Sequence, residues 1–155
     1  MKIVATILFF LIVPGAVILY IPVGLAFSGL MAVEPVQAMR YAAVFLWAAG
    51  GLIVGWAMIN LIGRGRGSPV PFDHTNTLVE TGLYHYSRNP MYLGAAAIVF
   101  GHYFWFQSWL LLVYAAVVLL SFHLFIVFFE EPRMRRRFGK SFNHYCRRVP
   151  RWFIK

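Results

Sequence analysis

The stretch from residue 81 to residue 94 combines polar and aromatic side chains with the beginning of a hydrophobic segment. Asn89 is a good N-cap and Pro90 suits the first turn of a helix, so the sequence predicts a helix that begins at Pro90. A helix start beside Arg88 can bind an anion, and the nearby tyrosines can pack on a planar ligand. These tyrosines are Tyr84, Tyr86 and Tyr92. A capped membrane helix with interfacial tyrosines and an arginine that reaches lipid headgroups explains the same residues without a ligand.

A second group of ionisable residues lies in and just after the last apolar segment. His123 is inside it, and Glu130 and Glu131 follow at offsets of seven and eight, which predicts that all three lie along one helical stripe. Ionisable groups at or near membrane depth are candidates for function. An interhelical hydrogen bond is the alternative for His123. For the glutamates, which we expect to end the membrane helix just before Pro132, the alternative is a salt-bridge cluster with the arginines at 133–137.

Composition places the chain in the membrane. It is 61% hydrophobic and only 12% charged, whereas about a quarter of the residues in a soluble domain are charged. The net charge of +9 comes from residues 132–155, which hold nine lysines and arginines and no acidic residue. The single cysteine excludes an intrachain disulfide, and His144 with Cys146 does not make a metal motif. Nucleic acid is a poor partner for a chain buried in lipid.

The apolar segments predict an all-α integral membrane protein with four membrane helices, since about 20 apolar residues cross a bilayer. A signal peptide is the alternative for the first segment. The third helix, short for a full crossing, and the fourth form a hairpin. Glycines in Gly-x-x-x-Gly spacing in the second predict close packing within the bundle or at a dimer seam. The four segments are residues 3–26, 42–62, 90 to about 105, and 109–129, and the two glycines are Gly51 and Gly55.

Placement of lysine and arginine predicts the orientation. The positive-inside rule puts both termini and the loop 63–90 in the cytoplasm and leaves Arg40 on the other side. We therefore expect one membrane domain over residues 1–155, in which residues 1–62 hold the two N-terminal spans. Hydrophobic residues at spacings of three and four predict a C-terminal basic amphipathic helix that lies on anionic lipid. These residues are Phe138, Phe142, Tyr145 and Val149.

Taken together, the two groups resemble the isoprenylcysteine carboxyl methyltransferase and phospholipid methyltransferase superfamily of membrane enzymes. The resemblance covers about residues 71–152, roughly half the chain, with the methyltransferase-like core at 81–152. The first two spans carry no signature of this superfamily. The resemblance rests on Thr81-Gly82-x-Tyr84, on Arg88-Asn89-Pro90-Met91-Tyr92-Leu93-Gly94, on Glu130-Glu131, and on Phe138-Gly139, Phe142, Tyr145 and Val149-Pro150.

The resemblance implies a cytosol-facing pocket for S-adenosylmethionine and an acceptor that enters from the bilayer. It implies methyl transfer to a carboxylate, thiol or amine of a lipophilic molecule. The residues that it assigns to cofactor binding are Tyr84, Arg88, Asn89, Pro90, Tyr92, Glu130, Glu131 and Tyr145. Our catalytic candidates are Glu131, Arg148 and His123, and Arg151 is a further candidate to close the pocket.

Two other functions remain open from the sequence. One is a membrane reductase that uses NADPH and is related to the sterol reductases, which share a similar C-terminal motif. The other is a non-catalytic membrane protein whose basic tail binds anionic lipid or a partner. We expect the chain to lie in a prokaryotic inner membrane with its active site facing the cytoplasm.

Overall fold

The computed structural model describes residues 14–28, 36–65 and 77–153, and the regular structure within these ranges is helical. A π-helical turn (Ala16–Tyr20) leads into the short helix α1, and a 3₁₀ turn (Gly82–His85) precedes α3. A second π-helical turn (Ile126–Glu130) joins α4 to α5. The helices are α1 (Ile21–Phe27), α2 (Gln37–Gly65), α3 (Pro90–Phe106), α4 (Trp109–Phe125) and α5 (Glu131–Arg148).

Among the residues that the structure describes, two helical stretches are long and apolar enough to cross a membrane. They are Gln37–Leu61 and the stretch Trp109–Arg148, which cover residues 42–61 of the predicted second span and all of the predicted fourth. The third predicted span is α3, a helix of 17 residues. It begins and ends where the sequence predicts, and its crossing of the bilayer stays a prediction. The first predicted span lies partly outside the described residues; its residues 14–26 are described, and they are helical.

The chain divides into two compact units. The first comprises residues 1–52 and 94–119. Within it, a Cβ added to Gly50 would lie 2.6 Å from the carbonyl oxygen of Gly94, so this glycine permits a close backbone approach. A Cβ added to Gly51 or Gly55 would have no atom within 4 Å among the described residues. Close packing within the bundle is therefore made at Gly50 and not at the spaced pair, for which a dimer seam stays a prediction.

The second unit comprises residues 53–93 and 120–155. In it the helical chain does not end before Pro132, contrary to the sequence prediction. Pro132 occupies the first turn of α5, where the absence of an N–H is tolerated, and the helix continues. The break comes at Gly139, with φ 50° and ψ −119°, a backbone conformation that favours glycine.

This break folds the chain back on itself. Arg151 and Glu131 are 20 residues apart, which is about 30 Å along a straight helix, yet the Arg151 Nε lies 2.7 Å from the Glu131 Oε1. The C-cap residue Val149 is extended, with φ −111° and ψ 128°. The end of the described chain is thereby returned to the beginning of α5.

The predicted amphipathic character of the tail helix is present in α5, but its apolar face is covered by protein. Phe142, Tyr145 and Val149 are buried, and partly buried hydrophobic residues pack against them. Insertion of an amphipathic helix into lipid requires an uncovered apolar face. The surface that α5 leaves exposed is its basic face.

Candidate functional site

The start of α3 is formed by a short run of mutually bonded residues. Pro90 is the first helical residue, and the Leu93 N–H donates to the Asn89 carbonyl oxygen at 3.3 Å. Ser87 Oγ accepts from the Asn89 N–H at 3.1 Å. The N–H groups of the first helical turn have no acceptor within the helix, so this end carries partial positive charge. The predicted helix start is confirmed.

A compact charged cluster lies beside this helix start. Arg88 Nη1 donates to Glu131 Oε1 at 2.8 Å, and Arg151 donates to both oxygens of the same carboxylate, at 2.7 and 3.0 Å. The side chains of Arg88 and Glu131 are only 12% and 11% exposed, so these ion pairs are weakly screened by solvent. The hydrogen bonds to Glu131 raise the pKa of Arg151. One carboxylate therefore holds two cations in place.

The Arg88 guanidinium is not fully satisfied by these partners. Its Nη1 also donates to Cys146 Sγ at 2.9 Å. Its Nε is buried and has no hydrogen-bond partner among the described residues. A buried donor without an acceptor costs free energy. Arg88 thus retains a donor that an anionic or polar ligand can use.

The neighbouring carboxylate has a different environment. Tyr92 donates its hydroxyl to Glu130 Oε1 at 2.6 Å, and the Tyr92 ring packs edge-on against Phe122 at 5.0 Å between centroids. A carboxylate has about four acceptor positions. Glu130 therefore keeps acceptor capacity next to an aromatic wall, whereas Glu131 is held by two guanidiniums.

The second half of α5 is fixed to the 3₁₀ turn before α3. Tyr145 is 2% exposed and donates its hydroxyl to the Tyr84 carbonyl oxygen at 2.6 Å. Gly82 has φ 66°, and a Cβ there would lie 2.9 Å from Asn60 Oδ1. Burial raises the pKa of the Tyr84 hydroxyl, which therefore stays protonated. Tyr145 fixes the turn that carries Tyr84, through a bond to backbone.

His123 is paired with an aromatic residue from the end of the described chain. Trp152 Nε1 donates to His123 Nδ1 at 3.4 Å, and the rings stack with an interplanar angle of 24°. An indole N–H can only donate, so Nδ1 is the acceptor and the neutral imidazole carries its proton on Nε2. His123 in this state can donate a hydrogen bond from Nε2.

The predicted site residues all belong to the second unit, but they are not equally central. Arg148 forms a salt bridge with Glu80, and its side chain is 52% exposed. Ser87 and Trp152 were missed by sequence reasoning. A serine two residues before a helix N-cap is a local signal that could have identified Ser87. The Trp152 contact spans 29 residues, and no local pattern indicates it.

Comparison with models of protein families gives a match over most of the described helices. The family model described as phospholipid methyltransferase matches residues 38–141, which is more than half of the chain. The matched range contains α3, α4 and both glutamates. No curated protein and no solved structure matches the chain.

Proposed function

Since the chain belongs to the phospholipid methyltransferase family, within the isoprenylcysteine and phospholipid methyltransferase family of membrane enzymes, we propose that it transfers a methyl group from S-adenosylmethionine to a lipophilic acceptor. The observation that carries the proposal is the meeting of the α3 start and the two glutamates in one unit. A cofactor that carries a carboxylate, an ammonium group and ribose hydroxyls suits this combination of an anion-binding helix end and carboxylates.

The side chains fit this cofactor. Its carboxylate suits Asn89 and the first-turn N–H groups of α3, next to the Arg88 Nε, which has no hydrogen-bond partner in the described part of the chain. Its ammonium and ribose hydroxyls suit Glu130, which keeps acceptor capacity. Its adenine suits the aromatic surroundings of Tyr84 and Tyr92. When bound, it supplies the electrophilic methyl group.

Glu131 then has an organising role. Its carboxylate is engaged by Arg88 and Arg151 at distances of 2.7 to 3.0 Å. It holds the Arg88 side chain beside the helix start, where a small misplacement of a binding group weakens alignment for an in-line displacement. We assign to Glu131 the positioning of Arg88, and to Glu130 the direct contact with ligand.

His123 is the residue best suited to meet the acceptor. The proton on Nε2 can be donated to an oxygen of a carboxylate or carbonyl acceptor. An amine acceptor would need a base to take its proton, and Glu130 is the group that can do so. Alignment and exclusion of water account for the remainder of the rate enhancement.

We also propose an arrangement in the membrane. Four helices cross the bilayer, both termini and the loop 63–90 face the cytoplasm of a prokaryotic cell, and the acceptor enters from the lipid. The basic face of α5 contacts anionic headgroups through charge alone, since its apolar face is covered. It includes a shallow pocket of about 260 Å³ lined by Lys140, Asn143, His144 and Arg147.

Calorimetric titration of the detergent-purified protein tests the function. S-adenosylmethionine and S-adenosylhomocysteine should bind, and NADPH should not. A folded protein that binds neither of the first two contradicts the proposal. Binding of NADPH alone would favour a reductase.

A further inference from the structure

The segment Val149–Trp152, here named the C-terminal strap, runs across the start of α3. The Arg88 N–H donates to the Pro150 carbonyl oxygen at 3.0 Å. Ser87 Oγ and Asn89 Nδ2 both donate to the Arg151 carbonyl oxygen, at 3.1 and 3.0 Å. Three donors at the helix start therefore converge on two backbone oxygens of the strap.

The carbonyl oxygens of Pro150 and Arg151 occupy the position in which the proposed function expects the carboxylate of the cofactor. A helix start attracts negative charge, and the strap supplies the negative ends of two carbonyl dipoles. An N–H group that donates to a carbonyl is not free to donate at full strength to a second acceptor. A ligand carboxylate at Asn89 and the Arg88 backbone must therefore compete with the strap.

The two side chains at the end of the strap reach the two ionisable groups placed at the site. Arg151 is bonded to Glu131, and Trp152 is bonded to His123. The Arg151 side chain is 30% exposed, whereas those of Arg88 and Glu131 are 12% and 11% exposed. Arg151, on the strap, is thus the most solvent-accessible member of the charged cluster.

We propose that the strap is a displaceable occupant of the cofactor site. The carboxylate of the incoming cofactor takes the donors now used by the Pro150 and Arg151 carbonyls, and the strap swings away. Its release also removes Trp152 from His123, which frees the histidine for the acceptor. Cofactor binding and exposure of the acceptor-binding histidine are then one event. This inference rests on the function proposed above.

Removal of one strap contact tests the competition. Ser87→Ala deletes a donor to the strap and also the acceptor of the Asn89 N–H; Ser87 itself is not assigned to the cofactor, and the Trp152 variant below leaves Asn89 untouched. We expect association of S-adenosylhomocysteine to become about 2- to 10-fold faster, the range that corresponds to one lost hydrogen bond. The rates are measured by surface plasmon resonance on nanodisc-embedded protein.

A second variant covers the outcome in which Ser87→Ala does not fold. Trp152→Phe keeps an aromatic ring but removes the N–H that reaches His123. It should also speed association, whereas Trp109→Phe, at an exposed position outside the strap, should not. Unchanged rates in the strap variants, or faster dissociation with weaker affinity, would overturn the proposal.

Proteolysis reports the movement itself. Trypsin should cleave the Arg151–Trp152 bond faster when S-adenosylhomocysteine is present, as read by mass spectrometry. Slower cleavage would mean that the strap closes over the ligand, which contradicts displacement. Failure of the parent protein to bind S-adenosylhomocysteine would remove the proposed function and the strap proposal together, whereas normal binding with unaltered strap variants would remove the strap proposal alone.

Discussion

At the scale of single residues, the adjacent glutamates should respond differently to loss of charge. Glu131→Gln leaves Arg88 and Arg151 side by side without their shared carboxylate. Because Arg151 is partly exposed, we expect a loss of about 1–3 kcal/mol of unfolding free energy, which is less than for a fully buried pair. Glu130→Gln keeps an acceptor for the Tyr92 hydroxyl and should unfold near the parent temperature.

Ligand binding is a second property in which the two glutamate variants can be compared. Both variants should weaken binding of S-adenosylhomocysteine, Glu130→Gln through the lost contact and Glu131→Gln through a misplaced Arg88. Thermal unfolding and calorimetry on the same preparations measure the two effects. Equal stabilities would show that Glu131 does not organise the cluster.

Arg88 and Arg40 form a matched pair of arginines. Arg88 belongs to the charged cluster, and Arg40 lies over the Trp105 ring at 5.7 Å in the first unit. Arg88→Ala should weaken S-adenosylhomocysteine binding about 10- to 100-fold, since a hydrogen bond to a charged group contributes about 1.5–3 kcal/mol. Arg40→Ala should leave the affinity unchanged. Equal affinities in calorimetry would refute the assigned site.

Only part of this cluster could be predicted from the sequence. The start of α3 has a local signal, an N-cap residue followed by proline, and it was found. The pairing of Arg88 with Glu131 joins residues 43 apart. Charge at each position was visible, but the Arg88–Glu131 pair depends on long-range packing, and the Arg151–Glu131 pair depends on how the chain returns after Gly139. The strap contacts were invisible for the same reason.

At the scale of helices, two adjacent glycines of α2 should behave in opposite ways. A Cβ at Gly50 would meet backbone, the Gly94 oxygen at 2.6 Å, whereas a Cβ at Gly51 would meet no atom of the described residues within 4 Å. Gly50→Ala should cost about 1–3 kcal/mol through overpacking. Gly51→Ala should be neutral or slightly stabilising, because alanine favours helix. Unfolding temperatures in detergent compare them, and a similar loss in both would disprove the close approach.

Helix boundaries could be predicted where a residue type marks them, and could not be predicted where they depend on the backbone angles that a residue adopts. The limits of α3 follow from Pro90 and from the aromatic residues near its end. The helix was expected to end before Pro132, but a proline in a first turn is tolerated and the helix continues. It breaks instead at Gly139, whose backbone angles are rare and require a glycine. A motif shows which residue is present but not which backbone angles it adopts.

At the scale of the whole molecule, the proposed topology makes both termini accessible from one side of the membrane. Fusions of a reporter that is fluorescent only in the cytoplasm should be bright at either end of the chain. A cysteine replacing Arg40, in a Cys146→Ser background, should react with an impermeant thiol reagent added from outside the cell. A dark fusion at one end, or an unreactive cysteine in folded protein, would contradict the four-span arrangement.

The π-helical turn between α4 and α5 changes the directions about the helix axis in which the side chains after it point. It absorbs one extra residue, so His123 and Glu131 are separated in angle as if by seven residues, about 20° from alignment. Glu130 lies about 100° further round. Deleting exposed Phe128 inside the turn should therefore preserve the direction of Glu131 and the binding of S-adenosylhomocysteine. Deleting exposed Leu120 in α4 should rotate the glutamates away by the same 100° and abolish it.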